Sequence, residues 1–215
     1  MLTMRILIAD DHELFRRGVA AELTKVPGWT VAAEATNGRD AVALAASLKP
    51  DVVVLDLTMP ELNGLEAARQ IVLADPAARI LILTAHESEQ LVREVLNAGA
   101  RGYVLKSDAG RTLVMALQEL REGRSFFTSN VARMVLDGYL RSDSREAAPA
   151  QTLSAREREI VQLLAEGNSN KDIAKALDIS VKTAETHRSN VMRKMGFASL
   201  AELVRYAIRN NIIEP

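Results

Sequence analysis

The sequence predicts an α/β domain built on a parallel five-stranded sheet, followed by a linker and an all-α domain of four helices. Three observations lead to this fold class. Five short apolar runs alternate with helical patterns in the first half, the alternation stops near residue 126, and residues 151–215 show only helical patterns. Strand–helix units in series form a parallel sheet with helices on both faces, because crossover connections are right-handed.

The five predicted strands are short and rich in Val, Ile and Leu, which distinguishes them from buried helices. They cover residues 5–9, 31–35, 52–55, 80–83 and 102–105. Between them, apolar residues recur at helical spacing, and Gly or Pro marks most of the helix ends. The predicted helices follow residue 11, cover 38–48, end near 73, cover 88–98 and end at 123.

Beyond the alternating region, one more helix is predicted from about residue 131 to residue 140, and a polar linker follows it at 141–150. A polar segment of this kind has little to bury and is typical of a flexible linker. We therefore predict an α/β domain at residues 1–125, a linker helix and flexible linker at 126–150, and a helical domain at 151–215.

Helix starts in the last part of the chain carry side chains that resemble capping boxes, in which a Ser and an acid three residues later bond each other's backbone N–H groups. Two predicted helices, 170–177 and 181–195, are joined by only three residues. Such a short connection is typical of a helix-turn-helix. The capping pairs are Ser154 with Glu157, Ser169 with Asp172, and Ser199 with Glu202.

Composition excludes several classes of protein. A hydrophobic content of 48% argues against disorder, and the apolar runs are too short to cross a bilayer. The absence of cysteine excludes disulfides and thiolate metal sites, and the N-terminus lacks the pattern of a signal peptide. We therefore expect a cytoplasmic protein. Residues 1–149 carry a net charge of −3 and residues 150–215 a net charge of +2, a weak indication that the second part binds nucleic acid.

Polar residues follow four of the predicted strands. Asp10 and Asp11 follow the first, Asp56 the third, Thr84 the fourth and Lys106 the fifth. Ligands of open parallel sheets bind outside the carboxyl ends of the strands. If the strands are neighbours, three carboxylates, a hydroxyl and an ammonium meet at one site. The alternative is that these are ordinary solvated loop residues, which becomes improbable for five positions in register.

These residues, together with the run from Val52 to Gly64 and the run from Gly102 to Lys106, resemble the receiver domain of bacterial two-component response regulators over residues 4–123. The resemblance implies a flavodoxin-like (βα)5 fold. It implies that Asp56 accepts a phosphoryl group from a histidine kinase. It also implies Mg²⁺, a cation that prefers hard oxygen ligands. Its ligands would come from Asp10, Asp11, Asp56 and the carbonyl of Thr58.

The same resemblance gives roles to four further residues. Lys106 would pair with a phosphate oxygen, Thr84 would move its hydroxyl towards the phosphoryl group, and the small Ala85 would leave room for it. Tyr103 matches the aromatic switch residue, whose ring would turn inward when Thr84 moves. The alternative for Tyr103 is a half-buried residue on an edge strand.

Two other chemistries fit the sequence less well. An aspartyl phosphatase or ATPase also forms an aspartyl phosphate, but such enzymes have a second acid two positions after the nucleophile, where this chain has Thr58. We therefore expect a phosphoacceptor with at most slow self-dephosphorylation rather than an enzyme. His12, His86 and His187 are scattered singly and have no metal-ligand spacing, so none is predicted to bind zinc.

The second half resembles a LuxR-type helix-turn-helix over residues 151–211, in the runs that begin at Leu153, Asn168 and Ile179. With the receiver in front, the whole chain resembles a NarL/FixJ-class response regulator. The helix predicted at 181–195 carries four basic residues and one acid. A recognition helix places such a face in the major groove of DNA. The alternative is a basic face that is only solvated.

On this helix we expect contacts to bases from Glu185, Thr186 and Ser189, and contacts to phosphates from a second set. His187 is expected to pack or to touch a phosphate. The last helix has an apolar stripe that belongs to the core, to a dimer contact, or to both. The phosphate-contact set is Lys182, Thr183, Arg188, Arg193 and Lys194.

Because the two sites lie in different domains, function requires coupling. The hypothesis is that the unphosphorylated domains dock or stay monomeric, and that phosphorylation of Asp56 favours a homodimer that binds two DNA half-sites. The rival is a phosphorylation-independent DNA-binding regulator in which the receiver serves only as a dimerisation module.

Overall fold

A computed structural model describes residues 3–85, 88–134 and 153–214, with the side chain of residue 111 outside the described set. The α/β domain contains five strand–helix units, in which a short 3-10 helix at Lys106–Asp108 precedes the last α-helix. Its strands are β1 (Met4–Ala9), β2 (Trp29–Ala35), β3 (Val52–Asp56), β4 (Ile80–Thr84) and β5 (Gly102–Leu105). Its helices are α1 (Glu13–Thr24), α2 (Gly38–Leu48), α3 (Gly64–Ala74), α4 (Glu89–Asn97) and α5 (Ala109–Arg121).

The parallel sheet is confirmed, but it has six strands rather than five, in the order β2-β1-β3-β4-β5-β6. The added strand, β6, is Phe126–Phe127, which pairs in parallel with Gly102 and Tyr103 of β5. Two residues are too few to give a periodic signal, so the sequence pattern could not predict this strand. Its consequence is that β5 lies inside the sheet and not at its edge.

Each strand sends alternate residues into two separate cores, as a sheet covered on both faces requires. Leu7 and Leu55 point to the face covered by α2, α3 and α4. Ile8 and Val54 point to the face covered by α1 and α5. All four side chains are at most 1% exposed. The polar residues at the carboxyl edge therefore stand on a rigid, fully packed platform.

After β6, residues 129–134 are helical and form the described part of α6. The predicted continuation of this helix to 140 and the linker at 141–150 lie outside the described residues. The helical domain consists of α7 (Ala155–Ala165), α8 (Asn170–Ala176), α9 (Val181–Met195) and α10 (Leu200–Arg209).

Side-chain caps fix the starts of these four helices. The capping boxes predicted at Ser154 and Ser169 are both complete, with the acid three residues later bonding back to the cap. At the third predicted pair, Ser199 accepts a hydrogen bond from the Glu202 backbone N–H, but the Glu202 carboxylate accepts from Ala198 instead. An apolar core closes the domain, with Ile160, Leu163, Ile173, Ala184, Val191 and Leu203 among its buried members.

Candidate functional site

The polar residues predicted to form one site lie at the carboxyl edge of neighbouring strands. Asp56 is the last residue of β3 and Thr84 the last of β4, while Asp10 follows β1 and Lys106 follows β5. Because β1, β3, β4 and β5 are consecutive in the sheet, their carboxyl ends meet at one place. Asp56 and Asp10 are 3% and 2% exposed, so these two carboxylates are held inside the protein.

Lys106 connects two of these carboxylates. Its Nζ lies 2.8 Å from Asp56 Oδ2 and 2.9 Å from Asp10 Oδ2. The ammonium also lies 4.9 Å from the centre of the Phe15 ring, a cation–π distance that sequence patterns did not indicate. The ring and the two acids fix the Lys106 ammonium beside Asp56, where a phosphoryl oxygen would need a positive charge.

The acids form a compact oxygen-rich cluster. Asp10, Asp11, His12 and Asp56 each offer a ligand atom, and these atoms lie within 4.8 Å of one another. Asp10 Oδ2 is buried, and the Lys106 ammonium is its partner among the described residues. Three carboxylates clustered this closely, two of them buried, fit a hard divalent cation such as Mg²⁺.

His12 was not predicted to belong to this site, since a single histidine carries no spacing signal. Its Nδ1 lies 2.9 Å from Asp11 Oδ1 and 3.4 Å from Asp10 Oδ1. Its backbone N–H donates to Asp10 Oδ1 at 2.8 Å. The residue therefore orients the acids from the start of α1. Only its position directly after Asp10 and Asp11 could have indicated this contact.

The electrostatics of the site perturb both central groups. Burial, followed by repulsion from Asp10, raises the pKa of Asp56 to about 7, and the hydrogen bond from Lys106 only partly opposes this rise. Burial lowers the pKa of Lys106, but its hydrogen bond and charge interaction with Asp56 outweigh burial and leave that pKa raised. Both effects indicate an excess of buried negative charge, which a bound cation would relieve.

Among the remaining predicted residues, Thr84 is buried and Ala85 is exposed. Thr58 is 9% exposed and Tyr103 is fully buried. The half-buried edge position considered for Tyr103 is therefore wrong, because β6 covers β5 and the ring already lies inside. The Tyr103 ring is therefore already buried in this structure, before any inward rotation of the predicted kind. His86 lies outside the described residues.

The loop between β3 and α3 is held tightly against Asp56. The Gly64 N–H donates to the Leu57 carbonyl at 2.8 Å, closing the loop. A Cβ on Gly64 would lie 1.9 Å from the Asp56 carbonyl oxygen, and a Cβ on Gly38 would lie 2.0 Å from the Leu62 carbonyl oxygen. Only glycine allows these approaches. A shift of the loop is therefore transmitted to Asp56.

The predicted DNA-contact helix is α9, whose bounds match the prediction. Ala184 and Val191 are buried in the domain core. Lys182 is 87% exposed and pairs at 3.5 Å with Glu185, which is 46% exposed. Exposed residues of the opposite face are Lys182, Thr183, Thr186, Ser189 and Arg193.

Several predicted DNA contacts already have partners within the domain. Lys194 forms an ion pair with Glu157 of α7, with 2.6 Å between Nζ and Oε2. The Thr183 hydroxyl shares a hydrogen bond with the cap residue Ser180 at 2.8 Å. Arg188 Nη1 lies 3.4 Å from the amide oxygen of Asn170 in α8. His187 is half-buried. Fewer side chains of α9 are therefore free of partners within the domain than the sequence alone indicates.

Both halves of the chain match known families. The family described as response regulator receiver domain matches residues 6–118, and the family of bacterial regulatory proteins of the LuxR type matches residues 151–207. A receiver followed by a LuxR-type helix-turn-helix defines a class of DNA-binding regulators of two-component systems. The chain belongs to the NarL/FixJ class of response regulators.

Full-length relatives support this assignment. The chain is 38% identical to the transcriptional regulatory protein LiaR of Bacillus subtilis, over 98% of this chain and 99% of that protein. It is 36% identical to the oxygen regulatory protein NreC of Staphylococcus aureus, over 98% of this chain and all of that protein. Each match spans nearly the whole of both chains, so it is not limited to one half.

Solved structures give the same architecture. A LuxR-family response regulator from Aurantimonas is 38% identical, with a TM-score of 0.61, over 64% of this chain and 99% of that one. The RcsB response regulator in a complex with DNA is 28% identical, with a TM-score of 0.58, over 95% of this chain and 97% of that one. None of the helices in the described residues combines the length and apolarity that a bilayer crossing requires.

Proposed function

We propose that this chain is a DNA-binding transcription regulator whose affinity for DNA is set by phosphorylation of Asp56 by a histidine kinase. The observation that carries the proposal is the position of Lys106 between the buried carboxylates of Asp56 and Asp10. A buried acid with a fixed ammonium beside it is prepared to become an acyl phosphate. The kinase as donor is supported by the family to which the chain belongs.

In the phosphoryl transfer, an Asp56 carboxylate oxygen forms the new P–O bond while the P–N bond to the donor histidine breaks, and the released imidazole takes up a proton from water. Asp10, Asp11, Asp56 and the Thr58 carbonyl would hold Mg²⁺, which neutralises charge between the anionic acceptor and the anionic donor. Lys106 neutralises a phosphoryl oxygen, and the buried walls of the pocket exclude bulk water.

At the DNA end, α9 would enter the major groove. Glu185, Thr186 and Ser189 would read bases, and Lys182, Thr183, Arg188, Arg193 and Lys194 would hold phosphates. Lys194 would first have to leave Glu157. We propose that the active form is a homodimer bound to two DNA half-sites. We place it in the cytoplasm, where bacterial DNA lies. The RcsB–DNA complex, whose overall architecture is similar, supports the mode of binding.

The test compares native protein with Asp56→Asn in operator binding, with and without acetyl phosphate and Mg²⁺. The matched control is Asp40→Asn, the same change at an exposed acid in the first turn of α2. We expect native protein and the control to gain affinity and Asp56→Asn to be unresponsive. Equal responses of native protein and Asp56→Asn would leave only the rival, in which the receiver serves for dimerisation alone.

A further inference from the structure

The helical domain docks on the receiver through the polar side of α7. Ile160 and Leu163 of this helix face the core of their own domain, whereas Gln162 faces the receiver. Although it is polar, Gln162 is fully buried, and Glu159 beside it is 6% exposed. Buried polar groups need hydrogen-bond partners, and most partners of Gln162 lie in the other domain.

Gln162 binds the backbone of the β3–α3 loop at two points. Its Oε1 accepts from the Asn63 N–H at 2.8 Å and from the Asn63 side-chain amide at 3.1 Å. Its Nε2 donates to the Met59 carbonyl at 2.8 Å and to Glu166 at 2.8 Å. Among these bonds, the carbonyl oxygen of Gln162 finds its partners only in the docked receiver, and the amide gains the Met59 carbonyl there in addition to Glu166 of its own domain.

Charged contacts surround this central amide. Arg158 of α7 bonds Glu66 of α3, a carboxylate that is 1% exposed and also bonds Arg69. Gln70 Nε2 donates to Glu159 Oε1 at 2.8 Å. These polar contacts lie on α3 and its preceding loop. Their geometry fixes the direction in which α7 meets the receiver.

The loop that Gln162 binds begins at the residue after Asp56 and contains Thr58, the predicted source of a metal-binding carbonyl. The Gly64 N–H bond to Leu57 ties the far end of this loop to its start. The close approach of Gly64 to the Asp56 carbonyl allows little independent movement. A change at Asp56 should thus move Met59 and Asn63. In the same way, holding Met59 and Asn63 in place should restrain Asp56.

The docked domain also lies across the mouth of this pocket. A cavity of about 270 Å³ is bordered by Asp11 and Thr58 on the receiver and by Ala165, Glu166 and Glu214 on the helical domain. Two carboxylates of the helical domain are thereby placed near the entrance. A phosphoryl group at Asp56 would add negative charge beside them, and like charges at short range disfavour docking.

We propose that Gln162 is the positioning residue that couples the two domains: its bonds to Met59 and Asn63 hold the β3–α3 loop in the shape of the unphosphorylated receiver, and phosphorylation releases α7. This proposal rests on the proposed function and names the regulation of the same site. Coupling is reciprocal, so docking that is weakened by phosphorylation must itself oppose phosphorylation.

The test uses the full chain, which contains no cysteine, so two introduced cysteines take spin labels selectively. Lys25→Cys and Lys171→Cys lie in different domains at exposed positions. The distance between the two labels is measured with and without beryllofluoride, which mimics a phosphoryl group on Asp56, and Mg²⁺. Three labelled proteins are compared: the native sequence, Gln162→Ala, and the control Gln118→Ala at an exposed site of α5. Circular dichroism verifies that each variant is folded.

In native protein and the control, we expect a short distance that lengthens with beryllofluoride and Mg²⁺. Gln162→Ala should show the long distance already without them, and its half-saturating beryllofluoride concentration should fall about tenfold, within the usual range of coupling between sites. Glu66→Gln, which weakens the Arg158 contact from the receiver side, should shift both readouts in the same direction.

A native distance and a native midpoint in Gln162→Ala would overturn the proposal while leaving phosphorylation at Asp56 intact. A native protein in which beryllofluoride and Mg²⁺ produce no response, identical to Asp56→Asn, would instead refute the phosphoacceptor role, and the coupling with it. The two failures are therefore distinguishable.

Discussion

Gly64→Ala tests the close contact between the start of α3 and the phosphoacceptor strand. The new Cβ would lie 1.9 Å from the Asp56 carbonyl oxygen, whereas real Cβ contacts essentially never fall below 3.0 Å. Backbone must therefore move by about 1.1 Å to restore even the shortest tolerated contact. Overpacking in a well-packed region costs about 1–3 kcal/mol. Because the obstacle is backbone, we expect the upper part of this range.

The matched control is Gly18→Ala in the middle of α1, where a Cβ would meet nothing within 4 Å. Here alanine should stabilise the helix by roughly 0.5–1 kcal/mol. Urea denaturation of both variants at pH 7 measures the difference. The reasoning is wrong if Gly64→Ala is as stable as Gly18→Ala. The displaced Asp56 should also make Gly64→Ala respond more weakly to acetyl phosphate.

Four further predictions concern charged residues. The hydrogen bond from Lys194, followed by that from the Ser154 N–H, lowers the pKa of Glu157 from 4.5. Because the pKa of Glu157 is lowered in the folded state, its charge contributes stability above pH 4.5 that is lost as the pH falls through the folded value. Glu157→Gln can keep the side-chain cap but removes this charge, so it should cost about 0.3–1 kcal/mol at pH 7 in thermal unfolding and little at pH 3. Lys182→Ala should lower the slope of log affinity against log salt by about 1, whereas Glu185→Ala should relax sequence preference in a selection from random DNA. Lys106→Met should weaken the acetyl phosphate response about tenfold or more, because a charged hydrogen bond contributes about 1.5–3 kcal/mol; an unchanged response would remove Lys106 from the mechanism.

The sequence predicted the receiver pocket well because its residues follow strands, and the topology of parallel strands determines where strand ends meet. Asp56 and Lys106 are 50 residues apart in the chain, and the sequence predicted their contact on the condition that the strands before them are neighbours. The family resemblance, rather than the residue pattern, supplied that condition. Helix starts were equally predictable, since capping is a local interaction. The predicted bounds of α9 agree with the structure, where the Ser180 side chain caps the start of the helix.

Other features depend on tertiary contacts that leave no local pattern. Gln162 occupies the polar side of a helix and is indistinguishable by spacing from a solvated residue, yet it is fully buried. His12 entered the pocket without any motif. Strand β6 was missed because two residues show no alternation. In each case the decisive partner lies far away in sequence or belongs to the backbone.

The polar contacts of α7 affect the free energy needed to separate the helical domain from the receiver. Apolar faces, once separated, attract one another or other proteins, and their exposure carries a penalty that grows with area. Gln162, Glu66 and Arg158 can instead exchange their mutual bonds for bonds to water at modest net cost. If the domains separate as proposed, these side chains would be left hydrated, and this part of the freed surface would not favour association with other proteins.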